Sequence, residues 1–94
     1  MRVACLMPEF EVSFARSARK ELESLPVEVA DRILYRIERL TENPRPRGSV
    51  KLQGRRGLWR IRVGDYRVVY TVDEAACYVD ITQIRHRRDV YRDF

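Results

Sequence analysis

The chain has few of the residues that staple or punctuate a fold: 2 cysteines, 4 glycines, 4 prolines and 1 histidine among 94 residues. Cys5 and Cys77 are too few for a disulfide framework, show no Cys-x-x-Cys spacing and have no histidine close by to complete a metal site. Two reduced, buried or half-buried thiols are expected instead. Glycine and proline are too scarce for collagen-like or low-complexity sequence, and no apolar run approaches the roughly 20 residues that span a bilayer. The opening MRVACLMPEFEV carries one Arg and two acids and lacks a long apolar core, so it does not resemble a secretory signal. Also missing are paired carboxylates at acid/base spacing, a Gly-rich phosphate loop and a Ser-His-Asp set; KLQGRRG (51–57) contains glycine but is no nucleotide motif. These absences point to a cytoplasmic protein without metal or cofactor, and the length suits one domain over 1–94.

What the chain has in excess is arginine, on one side of its sequence. Residues 1–44 hold 7 Lys/Arg against 8 Asp/Glu, whereas residues 45–94 hold 12 against 6, so the net charge of +5 belongs to the C-terminal half. All 19 basic residues except Lys20 and Lys51 are Arg. A guanidinium binds phosphate bidentately and stacks on bases better than an ammonium does. A one-sided Arg-rich half is the electrostatic footprint of a polyanion-binding surface.

Hydrophobic periodicity divides the chain in two. Phe10, Val12 and Phe14 alternate with Glu11 and Ser13 and predict a short strand, with Ser13 suited to cap the helix that follows. Phe14, Ala18, Leu22 and Leu25 form one helical stripe; Pro26 breaks it, and Val29, Ile33, Ile37 and Leu40 form a second. The second helix must end before Asn43-Pro44, which gives a helical hairpin. After the basic loop NPRPRGS (43–49) the period falls to 2: Leu58 to Val63, then Gly64-Asp65, then Tyr66 to Val72, a β-hairpin with the glycine its turn requires. Ala75 to Ile84 predicts a third strand, and the tail RHRRDVYRDF reads as polar and basic around Val90 and Tyr91.

With Gly64 and Asp65 as the loop, Val63 faces Tyr66, Arg62 faces Arg67, Ile61 faces Val68 and Trp59 faces Tyr70. Directly opposed residues share a sheet face. Trp59, Ile61, Val63, Tyr66, Val68 and Tyr70 therefore form a core face, and Arg60, Arg62 and Arg67 gather on the other. Opposed like charges are destabilising by a few tenths to about 1 kcal/mol, a cost that a bound phosphate relieves. Continuing the parity through the next turn places Asp80 opposite Arg67, where it could neutralise this face. Beyond the third strand follow Arg85, His86, Arg87, Arg88 and Arg92, with His86 the one group whose ordinary pKa lies near neutrality.

In its order of elements, and in the segments WRIRVGDYRVVY (59–70) and HRRDVYR (86–92), the chain resembles the RelE/ParE superfamily of bacterial and archaeal type II toxins over about residues 10–92. The resemblance implies an α+β fold, a small antiparallel sheet packed against an N-terminal helical hairpin, and a RelB-like antitoxin that neutralises the toxin in a hetero-oligomeric complex. RelE-type members are mRNA interferases that enter the ribosomal A site and cut the codon by attack of the ribose 2′-OH on the adjacent phosphate, without metal. Motif matching places the catalytic groups on Arg60, Arg62, Arg67, Arg87 and Tyr91, with Lys51, Arg85, His86 and Arg88 as flanking RNA-binding residues. Arg85 or Arg88 could stand in for Arg87, depending on how the loop is aligned. Some relatives carry lysine on the first strand where this chain has Arg60 and Arg62; guanidiniums are poor proton carriers, which leaves Tyr91 or His86 for proton transfer. ParE-type members share the fold but poison DNA gyrase and tend to lack the Arg-plus-Tyr set that this sequence keeps, so the resemblance favours the interferase.

Overall fold

A computed structural model describes residues 9–52 and 57–87. In chain order the elements are β1 (Glu11–Phe14), α1 (Arg16–Glu23), α2 (Val27–Leu40), β2 (Val50–Lys51), β3 (Leu58–Val63), β4 (Tyr66–Asp73) and β5 (Tyr78–His86). Five strands form one sheet in the order β1-β5-β4-β3-β2. The α+β class and the helical hairpin are as expected. The sheet, however, is mixed: β1 runs parallel to β5, and the other neighbours are antiparallel.

Each helix forms where its apolar stripe predicts, and each boundary has a local cause. Ser13 does not cap α1. Its hydroxyl instead donates to Asp80 Oδ1 at 2.7 Å, which ties β1 to β5, and the N-cap position falls to Ala15 with no side-chain bond. Ser24 closes α1 through its Oγ to the Glu21 carbonyl at 2.7 Å. Pro26 then stands immediately before α2, offering a carbonyl to the Ala30 N–H at 2.9 Å while lacking the N–H that a helix interior would need. At the far end Thr41 Oγ1 donates to the Glu38 carbonyl at 2.6 Å, just ahead of Asn43-Pro44.

The core lies between the helices and one face of the sheet. Ala18, Ile33, Ile37 and Leu40 meet Ile61, Val63, Val68, Tyr70, Val79, Ile81 and Ile84, all at 3% exposure or less. Burying each larger aliphatic side chain contributes about 1.5–3 kcal/mol, so this single layer provides the main driving force for folding. The β3–β4 register agrees with the sequence reading pair for pair, and Gly64 takes the left-handed backbone (φ 59°) that the tight turn demands. Between β4 and β5 the register shifts by a bulge at Val69/Tyr70. The turn before β5 spans residues 74–77, so Asp80 lies opposite Thr71, not Arg67, and beyond the bulge Arg67 faces Arg85. A parity count that assumes regular pairing cannot anticipate this.

Two further expectations are revised. Cys77, in left-handed backbone at φ 57°, is disulfide-bonded where a reduced thiol was expected; the chain's other cysteine, Cys5, lies outside the described residues. The third strand begins at Tyr78 and extends to His86, later at both ends than the pattern suggests. Among the described residues no helix is long and apolar enough to cross a membrane.

The basic loop is held down by the core itself. The Tyr70 hydroxyl, fully buried, donates to the Pro44 carbonyl at 2.6 Å. Arg45 stacks its guanidinium 5.3 Å above the Trp59 ring and reaches Glu74 Oε2 at 2.6 Å. Burial pushes the Tyr70 phenol up to about 12, against the opposing effects of a Ser49 hydrogen bond and the Arg45 charge. Because the folded pKa exceeds the unfolded one, the neutral phenol contributes stability that is complete below pH ~10 and lost as pH rises toward ~12. Tyr70→Phe should lower stability by about 1–3 kcal/mol at pH 7, since it leaves the buried Pro44 carbonyl without its donor. In urea titrations from pH 9 to 12 the wild type should lose stability faster than Tyr70→Phe; parallel curves would contradict the assignment.

Candidate nucleic-acid interface

The face of the sheet turned away from the helices carries the arginines. Cross-strand pairing sets Arg62 of β3 opposite Arg67 of β4, and Arg67 opposite Arg85 of β5, so three guanidinium-bearing residues form one row across three strands. With strands about 4.8 Å apart, the row's backbone is only about 10 Å wide. The next row holds Arg60, Val69 and Gln83. Arg62 is exposed, whereas Arg60, Arg67 and Arg85 are half-buried.

Several contacts fix this arrangement. From α2, Arg36 Nη1 donates to the backbone carbonyl of Arg62 at 3.3 Å, bracing the end of β3 from the helix side. At the β3–β4 turn the Arg87 N–H donates to the Asp65 carbonyl at 2.6 Å, which carries the chain leaving β5 up against the hairpin. The Arg87 and Asp65 side chains approach to 3.8 Å in an exposed pair, a geometry worth little in water. A recess of about 290 Å³ opens here, lined by Arg62, Gly64, Asp65, Tyr66, Arg67 and Arg87. Three arginines and one acid around a cavity of this size suit a phosphate, which several forked guanidiniums can grip at once.

The neutralising role considered for Asp80 is overturned, because the β4–β5 register pairs it with Thr71 and its carboxylate accepts from Ser13. Not every expected site residue joins the row. His86 lies opposite Tyr66 and packs edge-on against that ring with centroids 5.0 Å apart, which puts it on the helix side of the sheet. Lys51 pairs with Trp59 on the edge strand β2 and shares that same side. Strand alternation separates both from the arginine face. Arg88 and Tyr91 fall outside the described residues. Sequence reasoning did not place Arg85 in the row, and it missed Gln83 entirely, since both positions depend on the β4–β5 register. Among the described residues, no group of three or more His, Cys, Asp or Glu side chains is placed to hold a metal ion.

The chain has clear relatives. A family model described as the ParE toxin of type II toxin–antitoxin systems, parDE, matches residues 12–91. Toxin RelE of Mycobacterium tuberculosis is 32% identical over 84 residues, covering 88% of this chain and 87% of that toxin. Toxin RelG of the same organism is 29% identical, covering 88% of this chain and 97% of that one. The archaeal RelE–RelB complex from Pyrococcus horikoshii superposes with a TM-score of 0.76 at 31% identity, over 89% of this chain and 100% of that one. The chain belongs to the RelE/ParE superfamily and is a toxin of a type II toxin–antitoxin system.

The row of like charges should act as a preformed anion site. Arg62→Gln should leave thermal stability unchanged or raised by a few tenths of a kcal/mol, because it removes one opposed pair. The same change should reduce the slope of log K against log salt for a single-stranded oligoribonucleotide by about 0.7, the loss of one phosphate contact. An unchanged slope would place the bound phosphates elsewhere.

Proposed function

We propose that the protein is a ribosome-dependent mRNA endonuclease. The observation that carries this reading is the convergence of Arg62, Arg67 and Arg85 across three strands, with Arg87 at the edge of the adjoining recess. In the proposed reaction the ribose 2′-oxygen bonds to the neighbouring phosphorus, the bond to the 5′-oxygen breaks, and a 2′,3′-cyclic phosphate and a 5′-hydroxyl remain. One proton leaves the 2′-OH and one arrives at the 5′-oxygen. Between these events the phosphorane gathers negative charge, and fixed guanidiniums stabilise it without having to reorganise.

Proton transfer needs a different group, because a guanidinium stays protonated to above about pH 12. His86 stands on the opposite side of the sheet. The role therefore falls to Tyr91, which matches the tail tyrosine of the RelE-type motif. The ribosome, by fixing the mRNA in line for attack, supplies the remaining advantage through orientation. No step in this scheme calls for a metal, and the cytoplasm, where ribosomes work, is the proposed location.

The matching family model is that of a ParE toxin, so gyrase poisoning is the competing reading. Purified ribosomes programmed with a defined mRNA separate the two. Codon-dependent cutting is expected, falling about 10²–10³-fold in Arg67→Ala and about 10²–10⁴-fold in Tyr91→Phe. Intact mRNA together with gyrase-dependent DNA breaks would refute the nuclease.

A RelB-like antitoxin is the proposed protein partner, as in the RelE–RelB complex from Pyrococcus horikoshii. An apolar groove of about 480 Å³ between β1 and α2, lined by Val12, Phe14, Leu34, Tyr35 and Ile37 among others, offers such a partner hydrophobic surface. Leu34 and Tyr35 are 40% and 57% exposed there. Co-expression with the product of an adjacent small acidic reading frame should yield a complex by size-exclusion chromatography, and Leu34→Asp should weaken it by at least about tenfold, a buried unpaired charge being costly. A complex unaffected by Leu34→Asp would move the antitoxin to another face.

A further inference from the structure

The exposed surface of α2 is sorted by charge. Asp31 and Glu38 border the apolar groove beside β1. Arg32, Arg36 and Arg39, spaced four and three residues apart, form a stripe on another flank of the helix. Tyr35 engages the far end of this stripe, its hydroxyl accepting from Arg39 Nη1 at 3.2 Å and its ring centroid 5.9 Å from that guanidinium. The near end lies against the tip of the β3–β4 hairpin. Arg32 Nη1 comes within 3.5 Å of the place a β-carbon would take on Gly64, and Arg36 Nη1 donates to the Arg62 carbonyl at 3.3 Å. β2 pairs with β3 only at Trp59 and Arg60, so the described strands leave the outer edge of β3 open at Arg62.

Acids among the described residues do not neutralise the cations at this edge. Arg32 is exposed and, among the described residues, makes no hydrogen bond or ion pair. Glu28 stands one turn earlier without pairing to it, and the Asp65 carboxylate pairs with Arg87. Arg36 spends a donor on a neutral carbonyl, which leaves its charge and its other N–H groups available. Arg62 is exposed as well, with its side chain on the far face of the sheet. Arg62, Arg36 and Arg32 thus lead in order from the arginine face, around the edge of β3, to the helix side. A flexible single strand can follow a cationic path around one β-strand, whereas a duplex is too stiff to do so.

We propose that Arg32 and Arg36 form a second phosphate seat, which holds a flanking backbone phosphate of the same single-stranded message whose scissile phosphate lies in the Arg62–Arg67–Arg85 row. The message turns around the edge of β3 between the two seats. The identity of the ligand rests on the ribonuclease reading above, and the test separates the two.

The full chain is titrated across a salt series with an unstructured oligoribonucleotide of roughly 12 nucleotides, and by NMR with a dinucleoside monophosphate, whose single phosphate fills only one seat. Arg32→Gln should reduce the slope of log K against log salt for the longer strand by about 0.7, one phosphate contact, and leave the dinucleotide affinity unchanged. Arg62→Gln should weaken both ligands. Arg32→Lys should restore the slope, because it keeps the charge. Arg39→Gln removes the same charge from the same helix at the end engaged by Tyr35, and it should leave the slope as it is. Arg32 makes no bond that the fold needs, so its loss does not confuse binding with folding. These slope changes in a protein that cuts no message on ribosomes support the seat while removing the nuclease. An unchanged slope in Arg32→Gln, or an equal loss in Arg39→Gln, overturns the seat whether or not mRNA is cut. Weaker binding of Arg32→Gln to vacant ribosomes with the oligoribonucleotide slope intact also overturns it, since the partner would then be ribosomal RNA.

Discussion

The molecule depends on a division of labour between the two faces of one sheet. Strand alternation sends Ile61, Val63, Val68, Tyr70, Ile81 and Ile84 toward the helices, where burial drives folding. The same alternation obliges the intervening residues to face the other way, and the chain fills those places with Arg60, Arg62, Arg67 and Arg85. Opposed guanidiniums repel, so this arrangement can persist only because the apolar face outweighs it. A hydrophobic layer worth many kcal/mol tolerates a row of like charges costing a few tenths to about 1 kcal/mol per opposed pair. The charge is thus built into the fold itself, the preorganisation that the proposed reaction calls for.

Supporting contacts come from outside the sheet. Arg36 on α2 holds the Arg62 carbonyl, and the Asp65 carbonyl holds the backbone of Arg87. Each limits where a guanidinium of the row or its neighbouring recess can go. The loop anchored by Tyr70, Trp59 and Arg45 performs a comparable service at the opposite end, tying residues 43–49 to the core.

Much of this was legible in the sequence, for identifiable reasons. Gly64-Asp65 between two alternating runs fixes a register within a few residues of the turn, so the pairs from Val63↔Tyr66 to Leu58↔Thr71 follow directly. The helical stripes and Pro26 locate α1 and α2 equally well. Legibility ended where a non-local event intervened. A turn over residues 74–77, longer than the pattern suggests, set Asp80 opposite Thr71, and a bulge at Val69/Tyr70 brought Arg85 into the row. Local sequence suits Ser13 to cap the helix that follows it, but its hydroxyl finds a partner 67 residues away. Charge and motif group His86 and Lys51 with the arginines, whereas strand alternation assigns them to the other side. Gln83 gave no signal, because a lone glutamine in a strand is unremarkable until its neighbours are known.

The placement of β5 decides when the arginine row is complete. This strand, the last among the described residues, lies in the interior of the sheet, between β1 and β4, and it brings Arg85 with it. A chain ending at Asp73 holds Arg62 and Arg67 but lacks Arg85, so the arginine row is complete only once β5 has paired with β4.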